Sequence, residues 1–157
     1  MTQAIPEGFH SITPTLVLSD AKGAIEFYKK ALGAKEDYAM TCPESGKIMH
    51  ACLTIGDSKL FLSDDMPNCG GVTKDSRFYL YVKDCDAGFK IATAAGCSEI
   101  MKPEDMFWGD RVSAVKDKFG LNWTIATHVK EVSEEEMKKG RDAWMEKMKS
   151  GKANKAA

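Results

Sequence analysis

Three histidines, His10, His50 and His128, are the side chains of this 157-residue sequence suited to moving protons near neutral pH, because an unperturbed imidazole titrates in that range. None is paired in the His-x-x-x-His spacing that puts two ligands on one helix face. His50 stands mid-way along the apolar-alternating run Ile48 to Ile55, on the same face as Cys52 and Thr54, and is expected to turn a ring nitrogen toward a cavity. Arg77 and Arg111 could clamp an anionic ligand with their planar forks of N–H donors. Tyr79 and Trp108 could wall a flat ligand, whereas Trp123, inside a strand-like run, is expected in the core. Cys52 is expected in the interior with no base to activate it, so nucleophilic chemistry is not indicated there.

Bulk properties narrow the classes. The 22 basic and 23 acidic residues leave a net charge of −1, without the clustered basic face that nucleic acid requires. The five cysteines are odd in number and contain no Cys-x-x-Cys pair, so neither a disulfide framework nor a thiolate zinc site is indicated. No apolar run reaches the roughly 18 residues of a membrane span, and residues 1–10 do not have the pattern of a secretory signal. A cytoplasmic protein that binds neither nucleic acid nor membrane is the expectation. At this length one domain suffices for a core without staples.

The elements that must position these side chains fall into two similar halves. Strand-like residues Ile12 to Leu18 precede Ser19-Asp20, a helix N-cap signal, then Ala21, Ala24, Ile25, Tyr28 and Leu32 at helical spacing, closed by Gly33. Strands are expected over 35–41, 48–55 and 59–63, the last two joined across Gly56-Asp57-Ser58. After a linker of about 65–76, the order returns: strand 78–82, a helix capped by Asp84 or Asp86 and ended by Gly96, then strands near 97–101, 111–115 and 122–127. Leu16 to Asp20 matches Leu80 to Asp84, and Ile55-Gly56-Asp57 matches Val115-Lys116-Asp117. Such internal similarity marks a duplicated unit. The fold class is therefore α+β, two tandem βαβββ modules at about 10–64 and 77–128, their mixed sheets curled around a cavity. A C-terminal helix is expected at about 133–149, opened by the capping-box pattern Ser133-Glu134-Glu135-Glu136 and presenting Met137, Trp144 and Met148 on a face that docks on the body.

These residues resemble a known family. Leu16 to Gly33 looks like the first strand and helix of a vicinal-oxygen-chelate module. Met49-His50-Ala51, Phe107-Trp108-Gly109-Asp110-Arg111 and the ending Phe119 to His128 resemble the PhnB-like branch of that glyoxalase/bleomycin-resistance/dioxygenase superfamily. The family includes isomerases, dioxygenases, transferases and drug-sequestering proteins, so the fold does not choose an activity. Its metal-using members place His, Gln or Glu at four inner strand positions, which fall here on Thr13, Phe61 (or Ser63 in a shifted register), Arg77 and Thr124. Two hydroxyls, a phenyl ring and a guanidinium make no divalent-metal site, so no metal and no other cofactor is expected. The resemblance implies a homodimer and a metal-independent protein that binds or sequesters a drug or metabolite between sheets, with His50, Arg77, Tyr79, Trp108 and Arg111 around the ligand. The alternative is a metal-dependent lyase, isomerase or dioxygenase-like enzyme with a displaced site drawn from His10, His50, His128 and a carboxylate such as Asp64 or Asp110. A methyltransferase reading finds no glycine-rich nucleotide loop after a strand.

Overall fold

Asp20 and Asp84 both begin helices, and for the same reason. Asp20 accepts the Gly23 N–H at 2.8 Å and Asp84 the Ala87 N–H at 3.0 Å, each satisfying a backbone donor that a helix start leaves open. The computed structural model describes residues 4–67 and 70–150. In chain order it contains β1 (Thr15–Leu18), α1 (Ala21–Ala31), β2 (Lys35–Thr41), β3 (Ile48–Ile55) and β4 (Ser58–Asp64), then β5 (Arg77–Tyr81), α2 (Cys85–Ala94), β6 (Ser98–Asp105), β7 (Asp110–Lys116) and β8 (Asn122–His128), and last α3 (Glu134–Lys149). Residues 68–69 of the expected linker, and the end of the tail beyond 150, lie outside the described residues.

The first sheet has the order β1-β4-β3-β2 and the second β5-β8-β7-β6. In each, the first strand runs parallel to the last of its unit and the other neighbours are antiparallel. The duplicated βαβββ unit is thus present twice with one topology. Asp64, buried at the end of β4, fixes the first unit internally: its carboxylate accepts from the Ala21 N–H at 2.8 Å and the Ile48 N–H at 2.6 Å. That assignment removes Asp64 from any metal site.

The two sheets remain separate and do not close into one barrel. Their helix-bearing faces share one core instead, with Leu16, Leu18 and Leu53 from the first unit and Val115, Leu121 and Trp123 from the second. At its centre Tyr28 of α1 is wholly buried; its hydroxyl donates to Asp117 at 2.8 Å and its ring meets Trp123 edge-on at 5.5 Å. Burial, and after it the Asp117 charge, raise the Tyr28 phenol far above its ordinary range, so it remains a donor. The opposite, inner faces are left open, with Tyr38, Met40, Tyr79 and Tyr81 between 45% and 59% exposed.

Two boundaries and one docking contact differ from the sequence reading. β1 begins at Thr15 rather than Ile12, which is 84% exposed; Pro14 still lends its carbonyl to the Phe61 N–H at 2.9 Å but has no donor of its own. β6 runs through Pro103 to Asp105, tolerated because β6 is an edge strand and its register slips between Met101 and Glu104. α3 has its complete capping box, but none of its residues is buried, and Met137, Trp144 and Met148 are not docked as expected. Its closest approach to the body is Gly140, where an added Cβ would press on the Phe107 side chain.

Candidate functional site

A cavity of about 440 Å³ opens between the units, lined among others by His10, Thr13, Lys59, Phe78, Tyr79 and Trp123. Its size falls within the range of small-molecule pockets. Phe78 and Trp123 stack at 4.7 Å on one wall, and Lys59 supplies a charge already engaged with Asp37 at 2.9 Å and Thr54 at 2.7 Å. Of the five expected ligand residues, only Tyr79 reaches this cavity. His50, Arg77, Trp108 and Arg111 are not part of its lining.

On the inner face of the first sheet, His50 lies between Tyr38, stacked at 5.7 Å, and Phe61, tilted at 4.6 Å. Its Nδ1 is 3.1 Å from the Tyr38 hydroxyl. Beside it the Cys52 thiol donates to Asp37 at 3.4 Å. Burial first, and then Asp37, push that thiol up to about 11, so it stays protonated and unreactive.

The inner face of the second sheet can be read row by row from its register. Arg77 pairs with Asn122 and Asn122 with Lys116; Tyr79 with Thr124 and Thr124 with Ala114; Tyr81 with Ala126 and Ala126 with Val112; His128 with Asp110. One end of the face is therefore basic. At the other end the two tyrosines reach across β8 to β7, and both hydroxyls donate to Asp110 Oδ2, at 2.9 Å from Tyr79 and 2.8 Å from Tyr81. Asp110 Oδ1 meets His128 Nδ1 at 2.9 Å, and His128 Nε2 lies 3.2 Å from Glu131. Trp108, in the turn before β7, lies close enough to the Tyr79 phenol to influence it. Asp110 is only 3% exposed. Burial alone would raise its carboxyl, but the hydrogen bonds from His128, Tyr81 and Tyr79 outweigh it, so the carboxyl is held below its usual range and stays ionised. Burial first, and then the bond to Asp110, push the Tyr79 phenol up to about 12 against a lowering influence of Trp108.

Arg111 follows Asp110 on β7, so its side chain leaves the opposite face of the strand, where it pairs with Asp86 of α2 at 2.9 Å and Asp105 at 2.9 Å. Its donors are spent on structure. Of the expected residues, Tyr79 and Trp108 are brought together, Arg77 shares their face two residues along β5, His50 belongs to the other sheet, and Arg111 faces away. Tyr81, Asp110 and His128 were not picked out by the sequence as one site; the signal was the alternating Tyr79-x-Tyr81 and the acidic residue after Gly109.

The hydrogen bonds from Asp110 and Glu131 raise His128 above its ordinary 6.5. A group with a raised folded value stabilises below its unfolded value, and that contribution is lost as pH climbs through the folded one. The stability difference between the native chain and His128→Gln should therefore shrink as pH is raised from roughly 6 to 9, near the imidazole range. Parallel pH–stability curves for the two proteins would remove the His128–Asp110 linkage.

Among the described residues no group of three or more His, Cys, Asp or Glu side chains is arranged to hold a metal ion. The four positions at which the resemblance implies metal ligands carry Thr13, Phe61 (or Ser63 in a shifted register), Arg77 and Thr124, a donor set that does not fit a divalent ion. No helix of the described residues is long and apolar enough to cross a membrane.

The comparisons with known proteins agree with this architecture. Residues 8–125 match the model of the Glyoxalase/Bleomycin resistance protein/Dioxygenase superfamily. An uncharacterised Mycobacterium tuberculosis protein, Rv0887c, is 39% identical over 136 residues, 81% of this chain and 79% of the relative. Escherichia coli YjdN is 30% identical over 126 residues, covering 65% of this chain and 84% of its own. TioX from Micromonospora superimposes with a TM-score of 0.65 at 24% identity, over 76% of this chain and 99% of TioX. A Bacillus cereus PhnB protein superimposes at 0.61 with 16% identity, over 75% and 99%; at such identities the likeness shows the fold alone. Duplicated unit, sheet order and family match converge: the chain belongs to the glyoxalase/bleomycin resistance protein/dioxygenase superfamily.

Proposed function

We propose that the chain is a metal-independent small-molecule-binding protein that holds a drug or metabolite against the inner faces of its sheets, and that it does so as a homodimer. The observation that carries this reading is the open inner surface of the two sheets, where Tyr38 and Met40 on the first, and Tyr79 and Tyr81 beside the buried Asp110 carboxylate on the second, stay about half exposed. Exposed apolar patches of this kind mark ligand or partner surfaces. A second copy set against them would turn two open troughs into enclosed pockets, as the ligand-burying sites of proteins require. The ill-fitting donor set at Thr13, Phe61, Arg77 and Thr124 supports binding without a metal.

The test is to identify by mass whatever small molecule is released when the purified protein is denatured, and to re-titrate it. At a hundredfold excess over its dissociation constant, a true ligand should stabilise the fold by about 2.7 kcal/mol. If that ligand carries an anionic group, Arg77→Ala should weaken it by about 1.5–3 kcal/mol, the range for hydrogen bonds to charged groups. Arg111→Ala should leave its affinity unchanged, because that guanidinium faces α2. About one equivalent of Zn, Ni, Fe or Mn surviving dialysis would instead support the metal-dependent enzyme. A monomer by light scattering would remove the dimer.

A further inference from the structure

We infer that the tyrosine–aspartate end of the second sheet's inner face binds the cationic head of an organic ammonium, packed on the Tyr79 and Tyr81 rings with Asp110 behind them. The inference rests on the small-molecule reading and names the chemistry of one end of the ligand.

The ring centroids of Tyr79 and Tyr81 lie 5.2 Å apart with planes tilted by 51°, and 47% and 59% of these residues is open to solvent. Both hydroxyls donate into one carboxylate oxygen, which polarises the phenols toward negative charge at oxygen and ring. An aromatic face within about 6 Å of a cation attracts it through its quadrupole, and the buried Asp110 charge acts in the same direction at reduced screening. His128 opposes it, but Asp110 and Glu131 together outnumber that single imidazole. The nearby Lys130 is taken by Glu136 at 2.8 Å. The bases Arg77 and Lys116 sit at the other end of the face, three rows of the register away from Asp110.

The same geometry argues against an inorganic cation. The phenols already fill Asp110 Oδ2 and the imidazole takes one position on Oδ1, so of the carboxylate's roughly four acceptor positions at most one is left to replace a tightly held hydration shell. A weakly hydrated alkylammonium needs only ring faces and a charge at a distance, which is what this surface offers.

Choline and its uncharged isostere 3,3-dimethylbutan-1-ol separate charge from shape. Titrated calorimetrically into the full-length protein, choline should bind at least fivefold more tightly than the alcohol. Tyr81→Leu, a change at an exposed position, should erase that preference, and Asp110→Asn should reduce it. Equal affinity for the two probes, or a choline preference untouched by Tyr81→Leu, overturns the cation site while leaving the small-molecule reading standing. Binding of neither probe overturns the cation site as well, and the mass identification of a co-purified ligand then decides the broader reading by itself.

Discussion

Replacing Asp117 with alanine should cost the fold about 3–5 kcal/mol, the sum expected when buried donors lose their acceptor at about 1–3 kcal/mol each. Asp117, 5% exposed, sits in the β7–β8 turn and accepts four hydrogen bonds. The Tyr28 hydroxyl reaches Oδ2 at 2.8 Å and the Trp123 indole N–H at 2.9 Å, while the Phe119 and Leu121 N–H groups both reach Oδ1 at 2.9 Å. Alanine would leave a buried phenol and a buried indole donor unpaired, each at about 1–3 kcal/mol, and would also loosen the turn. Because Tyr28 belongs to α1, one of the four lost bonds falls on the joint between the two units, while the other three lie within the second. For a chain of this size each kcal/mol moves the melting temperature by roughly 2–4 °C, so a fall near 10 °C is expected. Tyr28→Phe removes one of the four donors, and in a double-mutant cycle it should couple to Asp117→Ala by about 0.5–3 kcal/mol. A loss under about 1 kcal/mol, or strict additivity with Tyr28→Phe, would mean the joint is held elsewhere.

The sequence is most legible where a local rule and the tertiary structure agree. Asp20, Gly33 and the apolar spacing of Ala21 to Leu32 give α1, because the residues that favour a helix also face the core. β2 and β3 appear at the bounds read from alternation alone. The site is less legible, and the reason is parity. Asp110 and Arg111 are neighbours on one strand, so one must face inward and the other α2, and a one-residue choice reverses both. What decides it is Asp86 on α2, 25 positions away in sequence, which captures Arg111. The Asp110 cluster needs strand order too: Tyr79 and Tyr81 on β5 meet a β7 residue only because β8 lies between them. Neither fact is written in local spacing. Convergence of the inner faces was likewise a matter of how two sheets share one core, which Tyr28 and Trp123 settle by joining the units back to back.

Gly109→Ala should damage the second-sheet site more than any exposed substitution in it. Gly109 adopts φ +95°, a region that costs an L-residue roughly 1–2 kcal/mol. An added Cβ there would also collide with the Lys130 carbonyl oxygen and press on Val132. The Gly109 carbonyl meanwhile accepts the Val129 N–H at 2.9 Å and the Lys130 N–H at 3.0 Å, so relief of the clash breaks bonds of about 0.5–1.5 kcal/mol each. The expected total is about 2–5 kcal/mol, adding the backbone conformation to the two lost bonds. Gly120 provides the control: its φ of +88° is similar, but an added Cβ meets nothing within 4 Å. Gly120→Ala should therefore carry only the conformational part, and the difference between the two variants isolates the collision. Trp108 and Asp110 flank Gly109, so the displaced turn should also pull Asp110 from Tyr79, Tyr81 and His128. Binding at the second sheet's inner face should fall at least tenfold in Gly109→Ala and stay intact in Gly120→Ala, measured at a temperature where both variants are folded. Equal stability losses in the two variants would show that the turn yields without strain, and an unchanged affinity would detach the Asp110 cluster from ligand binding.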